Sequence, residues 1–388
     1  MDPKALYAER SKRFEDVMNR RIPDRVPVIG NITTWMYQYA GVSVKKAFME
    51  DPELLFGAVK KLSEDVPLDG LMGTSNTLPL KMAERIGEGM YVCTDEGTQI
   101  RGSHGHLMEP EEYKLLAEDP HRFFANVLIP RKFESVRNAS FDEKVAMFKQ
   151  AYVDFGEFGA YNRAVNPRIE NELGLPMPTR GSIFLPPDVV LDYLRDFVGI
   201  SLDVRRHADE LVEACWAIYK WNLDQYLPTA PPPNWKVIFS PLHLPTYLRP
   251  KVFEKVYLPF MKRYVQEMSI ERGFSLYFFM EANWMPYLDL LQELPEGAKL
   301  VGLFEDGDLA EIKEKVGNRM AVMGGMPVDL LRFGTVQQVE DKCKELIETV
   351  APGGGYMFST DKTLMSLTDG KPENVIAAYR YMTENSWY

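Results

Sequence analysis

Short apolar runs alternate along the chain with segments in which apolar residues recur every three or four positions. The runs have the length of buried strands, and the periodic segments have the spacing of amphipathic helices. Eight runs qualify as strands: residues 26–32, 67–73, 180–185, 236–240, 275–280, 299–304, 320–323 and 355–358. This alternation predicts an α/β fold, built either as a (β/α)8 TIM barrel or as an open doubly wound sheet.

Two stretches interrupt the alternation. Residues 91–109 contain three glycines and predict a hairpin or a loop. Within residues 130–179, a helical pattern over 141–155 precedes a stretch rich in Gly, Asn and Pro, which predicts a loop. On a barrel, such insertions either enlarge the rim of the active site or form a dimer contact. We expect one domain over residues 1–388, with an N-terminal helical arm over residues 1–20 or so.

Composition narrows the classes of function. The formal net charge of −11 over 388 residues argues against a nucleic-acid partner, which needs a basic surface. No apolar run approaches the roughly 18 residues that span a bilayer, and the charged N-terminus has no apolar signal core. Cys93, Cys215 and Cys343 are scattered without a CxxC pair, which indicates no disulfide framework and favours the cytoplasm.

Polar residues that follow the strands are the candidates for chemistry, because barrel active sites lie at the carboxyl ends of the strands. His243 comes shortly after the run 236–240. A histidine there can ligate a metal, act as an acid or base, or orient a substrate. The alternative is a hydrogen-bonded loop histidine.

Acidic residues follow the next two strands. Glu281 directly follows five apolar residues, and a buried carboxylate needs a cation, a metal or a proton. The alternative is a salt bridge under the barrel rim. Glu305 and Asp306 follow the run 299–304 and could bind a divalent cation or a substrate ammonium. They could equally form a solvated turn in which Asp308 caps the following helix.

The last and the first strand ends complete the candidate site. Asp361 could complete a set of ligands with His243 and Glu281, and Lys362 could pair with Glu281 across the barrel mouth. The first two strand ends are neutral, and the aromatic residues after the first predict an apolar, planar substrate, although half of them could be helix core. The predicted substrate-binding residues are Asn31, Trp35, Tyr37, Ser75, Asn283, Met326 and Lys362.

Both ends of the chain carry a family resemblance. The C-terminal motifs are MAVMGGMPVDLL, GGGYMFSTDK and GKPENV, and the N-terminal motif is RIPDRVPV. Together they resemble the uroporphyrinogen decarboxylase superfamily over nearly the whole chain. The resemblance implies a closed barrel rather than an open sheet, and a homodimer.

The chain departs from the decarboxylase pattern at the strand ends. The resemblance leads us to expect an arginine pair after the first strand and an Asp after the second, but the first has no arginine and Ser75 stands near the second position. The His-x-Cys of the thiol-methylating members is replaced by Phe279-Met280-Glu281. The segment from Met108 to Tyr113 is similar to members that demethylate ethers.

The resemblance therefore implies a methyltransferase that moves a methyl group from a small methoxylated aromatic or methylamine-type donor to a corrinoid protein. The alternatives are a decarboxylase acting on another substrate and a non-catalytic barrel that binds a tetrapyrrole or corrinoid. We expect His243, Glu281 and one of Glu305, Asp306 or Asp361 to converge at the barrel mouth. Either Zn²⁺, held by His243, Glu281 and Glu305, or a general acid among these residues would activate the leaving group.

Overall fold

Eight parallel strands alternate with helices and close into a barrel. The computed structural model describes residues 2–87, 91–100, 106–226, 229–231 and 237–388. The strands are β1 Ile29–Gly30, β2 Gly70–Leu71, β3 Tyr91–Cys93, β4 Thr98–Ile100, β5 Thr179–Ser182, β6 Val237–Leu242, β7 Leu276–Asn283, β8 Leu300–Asp306, β9 Ala321–Met326 and β10 Tyr356–Thr360. All except the antiparallel hairpin β3–β4 belong to the barrel.

The ring closes through short links at β1 and β2. Strands β5 to β10 pair in chain order, and β1 pairs with β2. Val28 forms a parallel bridge with Phe358, which joins β1 to β10. The Leu71 N–H donates to the Pro176 carbonyl at 2.9 Å, which joins β2 to the segment before β5. These links confirm the predicted (β/α)8 barrel.

Helices surround the barrel and fill its rim. They are α1 Pro3–Met18, α2 Trp35–Tyr39, α3 Val44–Met49, α4 Pro52–Asp65, α5 Leu80–Arg85, α6 Tyr113–Glu118, α7 Pro120–Phe123, α8 Ile129–Lys132, α9 Glu134–Arg137, α10 Phe141–Leu173, α11 Pro186–Val190, α12 Asp196–Arg206, α13 Ala208–Tyr226, α14 Pro250–Val256, α15 Leu258–Tyr264, α16 Leu288–Leu291, α17 Leu309–Val316, α18 Val328–Phe333, α19 Val336–Thr349 and α20 Pro372–Asn385. A π-helical turn, Leu191–Arg195, continues α11. In the described residues, no helix is long and apolar enough to cross a membrane.

The apolar runs locate all eight barrel strands within a few residues, although Lys236 lies outside the described residues. The hairpin β3–β4 confirms the start of the predicted insertion over 91–109, of which 101–105 also lie outside. The predicted loop after residue 155 is wrong, because α10 continues to Leu173. Buried Val165 and Ile169 hold this second half against the protein, so packing outweighs the cost of Pro167 within the helix.

The barrel interior is a separate apolar cluster. Val237, Tyr277, Leu303 and Met357 contribute to it from four strands. Phe14, Val17 and Met18 of α1 join the same cluster, so α1 closes the N-terminal end of the barrel. Beside this contact, Asp69 accepts hydrogen bonds from two buried arginines, Arg13 at 3.0 Å and Arg25 at 2.6 Å.

The strand register places three predicted residues side by side. Leu242 is level with Met280, and Met280 is level with Phe304. The next residue of each strand is therefore His243, Glu281 and Glu305. Because side chains alternate along a strand, Glu281 and Glu305 share the face of Phe279 and Leu303, which belong to the interior cluster.

Candidate active site

His243 lies between two carboxylates at the mouth of the barrel. Its Nδ1 is 2.8 Å from Asp192 Oδ2, and its Nε2 is 3.1 Å from Glu281 Oε1. Asp192 comes from the π-helical turn that continues α11, and Glu281 comes from β7. The side chain of His243 is 25% exposed, so solvent screens these two contacts only in part.

The two carboxylates determine the charge of the imidazole. Burial disfavours the cation, but the hydrogen bonds to Asp192 and Glu281 outweigh it and raise the pKa of His243 to about 11. His243 is therefore protonated at neutral pH, and both ring nitrogens donate. The trio Asp192–His243–Glu281 is a cation flanked by two anions.

A fully buried aspartate holds the backbone on which His243 sits. Asp188 Oδ1 accepts the N–H groups of His243 at 3.1 Å and Leu244 at 2.8 Å. Its other oxygen accepts the hydroxyl of Tyr257. Burial raises the pKa of Asp188 to about 7. The nearby charge of His243 and the hydrogen bond from Tyr257 both lower this pKa, but burial outweighs them. Asp188 thus fixes the position of His243 without contacting its ring.

The remaining acidic candidates lie around the ends of β8 and β10. Glu305 accepts the N–H of Ala282 at 2.8 Å, and burial raises its pKa. Asp361 accepts the N–H groups of Val328 at 2.9 Å and Lys362 at 2.6 Å, and burial raises its pKa as well. Glu305, Asp306 and Asp361 line a cleft of about 340 Å³ beside α17 and α19. The structure therefore joins His243 to Glu281 and places Asp306 and Asp361 in this neighbouring cleft.

The residues as placed do not fit the predicted zinc site. Both nitrogens of His243 are hydrogen-bonded to carboxylates, whereas a metal needs a free lone pair on the imidazole. In the part of the chain that the structure describes, no group of three or more His, Cys, Asp and Glu side chains is arranged to hold a metal ion. Zinc held by His243, Glu281 and Glu305 stays a prediction that this geometry does not support.

An uncharged cavity of about 360 Å³ opens at the same end of the barrel. Its described lining residues are Asn31, Ile32, Thr33, Thr34, Met72, Gly73, Ser75, Thr77, Thr98, Thr179, Phe239, Tyr277, Phe279, Thr363 and Met365. Glu281 lies two residues beyond Phe279 on the same strand, so the trio stands one layer above the aromatic wall. A small ligand in this cavity would meet apolar side chains and neutral hydrogen-bonding groups.

The cavity wall has unused hydrogen-bonding capacity. Asn31 Nδ2, Ser75 Oγ and Thr179 Oγ1 are buried and have no hydrogen-bond partner. Buried polar atoms without partners are rare in proteins. Three of them in residues that line one cavity indicate groups that a bound ligand or water can satisfy.

Two of the predicted substrate-binding residues, Asn31 and Ser75, line this cavity. Trp35 and Tyr37 do not, because both are fully buried in the core. The Trp35 indole N–H donates to the Gly370 carbonyl at 2.9 Å, and the Tyr37 hydroxyl donates to the Thr74 carbonyl. These two predictions are corrected: the residues are helix core, which satisfies their polar atoms internally.

The other three predicted contacts also lie away from the cavity. Met326 is fully buried. Asn283 accepts the N–H of Met285 at 2.9 Å in an exposed turn. Lys362 pairs with Asp361, Nζ to Oδ2 at 4.0 Å, and forms no ion pair with Glu281 among the described residues.

Two important residues escaped the sequence prediction. Asp188 and Asp192 follow β5 at a spacing of four, which puts both on one face of the helical segment. Their signal in the sequence is the segment PPDVVLDYL after a barrel strand.

Comparison with known proteins agrees with this architecture. Residues 237–383 match the family model of uroporphyrinogen decarboxylase (URO-D). The predicted resemblance to the uroporphyrinogen decarboxylase superfamily is thereby confirmed over this segment. The matched segment begins at β6 and includes His243, Glu281, Glu305 and Asp361.

A solved structure shares the whole fold. It is described as a methyltransferase from Methanosarcina mazei and superposes with a TM-score of 0.62 at 15% sequence identity. The match covers 97% of this chain and 98% of that chain. At such low identity the likeness shows the fold alone. No curated protein matches this chain.

Proposed function

We propose that the protein is a methyltransferase that moves a methyl group from a small methoxylated aromatic or methylamine-type donor to a corrinoid protein. The observation that carries the proposal is a protonated His243, held between Asp192 and Glu281 one layer above an uncharged cavity. The fold shared with a protein described as a methyltransferase supports the proposal.

The cavity favours a neutral, planar donor. Its volume of about 360 Å³ lies at the lower end of small-molecule sites. Phe239, Tyr277 and Phe279 offer aromatic surfaces, and Asn31 and Ser75 offer hydrogen bonds to ring substituents. A porphyrinogen with many carboxylates would meet no lysine or arginine among the described residues of this wall. This argues against the decarboxylation of such a substrate.

The chemistry of the donor determines what the protein must supply. A corrinoid on the partner protein would supply the nucleophile that accepts the methyl group. The bond between the methyl carbon and the ether oxygen breaks, and its electron pair stays on the oxygen. A phenolate formed in this way takes a proton, and its conjugate acid has a pKa of about 10, as in tyrosine.

His243 can supply this proton. Asp192 and Glu281 raise the pKa of His243 to about 11, so the imidazolium carries an Nε2 proton that it can donate to the leaving oxygen. In the proposed step the oxygen replaces Glu281 as the acceptor at Nε2, while Asp192 keeps the ring in place through Nδ1. A quaternary ammonium donor leaves as a neutral amine and needs no proton. The site therefore favours the ether among the two donor classes.

Methyl transfer can be measured directly. The protein is incubated without oxygen with reduced cobalamin, as a surrogate for the corrinoid protein, and with donors that carry an isotopically labelled methyl group. We expect label to move from methoxyaromatic donors to the corrinoid. In His243→Gln the rate should fall by roughly 10²–10⁴-fold, the range of general acid catalysis. Glu314→Gln, an exposed helical carboxylate, is the matched control and should keep full activity.

Two outcomes would contradict the proposal. Release of CO2 from a carboxylated substrate without any methyl transfer would favour the decarboxylase. Full activity of His243→Gln would remove the proton donor from the mechanism even if methyl transfer occurs.

A further inference from the structure

Helix α10 carries an exposed apolar stripe. Phe141, Val145, Phe148, Tyr152 and Phe155 follow one another at spacings of four, three, four and three, which puts them on one helical face. Their exposed fractions are 78%, 50%, 40%, 79% and 51%, respectively. We call these five residues the α10 stripe. None of the described residues covers it.

The helix contacts its own barrel through a different face. Ala151, Asp154, Val165 and Ile169 are its buried residues, and Asp154 forms an ion pair with Arg85. The Ser140 capping box fixes the first turn of the helix, so the α10 stripe is a preformed surface. The α10 stripe thus lies on a face of the helix that the contacts with its own barrel leave exposed.

We propose that the α10 stripe pairs, antiparallel, with the same stripe of a second copy of this chain. Aromatic side chains each present about 150–250 Å², so at the observed exposures the stripe offers on the order of 600 Å² of mostly apolar surface. A standard interface buries about 800 Å² per partner. The stripe alone supplies most of that area.

Charges beside the stripe determine the direction. Asp142 and Lys149 are exposed, lie on the same flank of the helix, and form no ion pair in the described chain. An antiparallel pairing that sets Val145 opposite Phe148 of the second copy brings Asp142 within reach of Lys149, twice by symmetry. In a parallel pairing this flank of one helix would face the opposite flank of the other, so Asp142 and Lys149 would not meet. Of the two directions, only the antiparallel one brings Asp142 and Lys149 together.

The attachment of α10 to the barrel permits this arrangement. The packed half of the helix, containing Val165 and Ile169, lies about 20 residues C-terminal of the proposed twofold axis, close to 30 Å at about 1.5 Å per residue. Antiparallel pairing sends the Val165 and Ile169 contacts of the two copies to opposite ends of the helix pair.

Sedimentation velocity over a concentration series tests the pairing. We expect wild-type protein to sediment as a dimer at micromolar concentration and Phe148→Glu to sediment as a monomer with an unchanged far-UV CD spectrum. Phe333→Glu changes an apolar residue that is 69% exposed elsewhere and should remain dimeric. A wild-type monomer at all concentrations, or a dimer that survives Phe148→Glu, would overturn the proposal.

A charge exchange tests the register. Asp142→Lys alone and Lys149→Asp alone should each raise the dimer dissociation constant several-fold, because each creates like-charge contacts. Their combination should restore it to near the wild-type value. If the double variant loses as much dimerisation free energy as the two single variants together, antiparallel pairing in this register is excluded.

Discussion

Asp192→Asn tests whether two carboxylates hold His243 as a cation. The substitution keeps the size of the side chain and an oxygen that can accept the Nδ1 proton at 2.8 Å, but it removes the negative charge. A hydrogen bond to a charged group contributes about 1.5–3 kcal/mol, and a change of one in pKa corresponds to about 1.36 kcal/mol. The pKa of His243, about 11 in the wild type, should therefore fall by roughly 1 to 2.

NMR titration of the histidine ring protons measures this change. The chain has five histidines, and the resonance missing from His243→Gln identifies the relevant one. Asp209→Asn is the control, because it removes an exposed carboxylate that pairs with Lys255. A wild-type His243 that titrates near 6.5, its ordinary value, would refute the reasoning. So would a titration that is the same in Asp192→Asn.

The same linkage predicts a dependence of stability on pH. The folded-state pKa of His243 is raised, so its contribution to the free energy of unfolding is complete below pH 6.5 or so and is lost as pH rises towards 11. Between pH 7 and pH 10, the wild type should lose more stability than Asp192→Asn, and the two free energies of unfolding should converge. Urea denaturation at both pH values checks the sign.

Three further substitutions test other parts of the structure by urea denaturation. Asp69→Asn should lower the free energy of unfolding by about 3–5 kcal/mol, because the buried Arg13 and Arg25 lose the negative charge that they share. A loss below about 1 kcal/mol would argue against a stabilising role of these ion pairs. Gly325→Ala should cost about 1–3 kcal/mol, since Gly325 has φ +99° and a Cβ there would approach Leu346 Cδ2 to 2.8 Å. Tyr257→Phe should cost about 1–2 kcal/mol, and more at pH 8 than at pH 5, because the lost hydroxyl stabilises ionised Asp188; an equal loss at both pH values would contradict that role.

Strands β6 to β10 could be predicted from the sequence because they are largely buried on both faces and read as apolar runs. The same reasoning located His243, Glu281 and Glu305, since a polar residue directly after such a run lies at the barrel mouth. Closure of the sheet could not be derived from these runs. It depends on contacts such as Val28 with Phe358, which are far apart in the chain.

Other parts were not predictable because packing decides them. The Gly, Asn and Pro residues after 155 predict a loop locally, yet α10 is stabilised there by burial of Val165 and Ile169. Trp35 and Tyr37 have the composition of a planar binding surface, but they face the core. Whether an aromatic side chain near a strand end faces a cavity or the core depends on the helix orientation, which one sequence does not contain.

The electrostatics at the barrel mouth narrow the class of ligand. Asp192, His243 and Glu281 together carry about one negative charge when His243 is protonated, and Glu305 adds to the negative potential nearby. A ligand with many carboxylates would enter this field unfavourably and would find no cation in the cavity wall. A neutral ligand would enter without that cost. The charge distribution at the barrel mouth therefore disfavours a porphyrinogen and is compatible with a small neutral ligand.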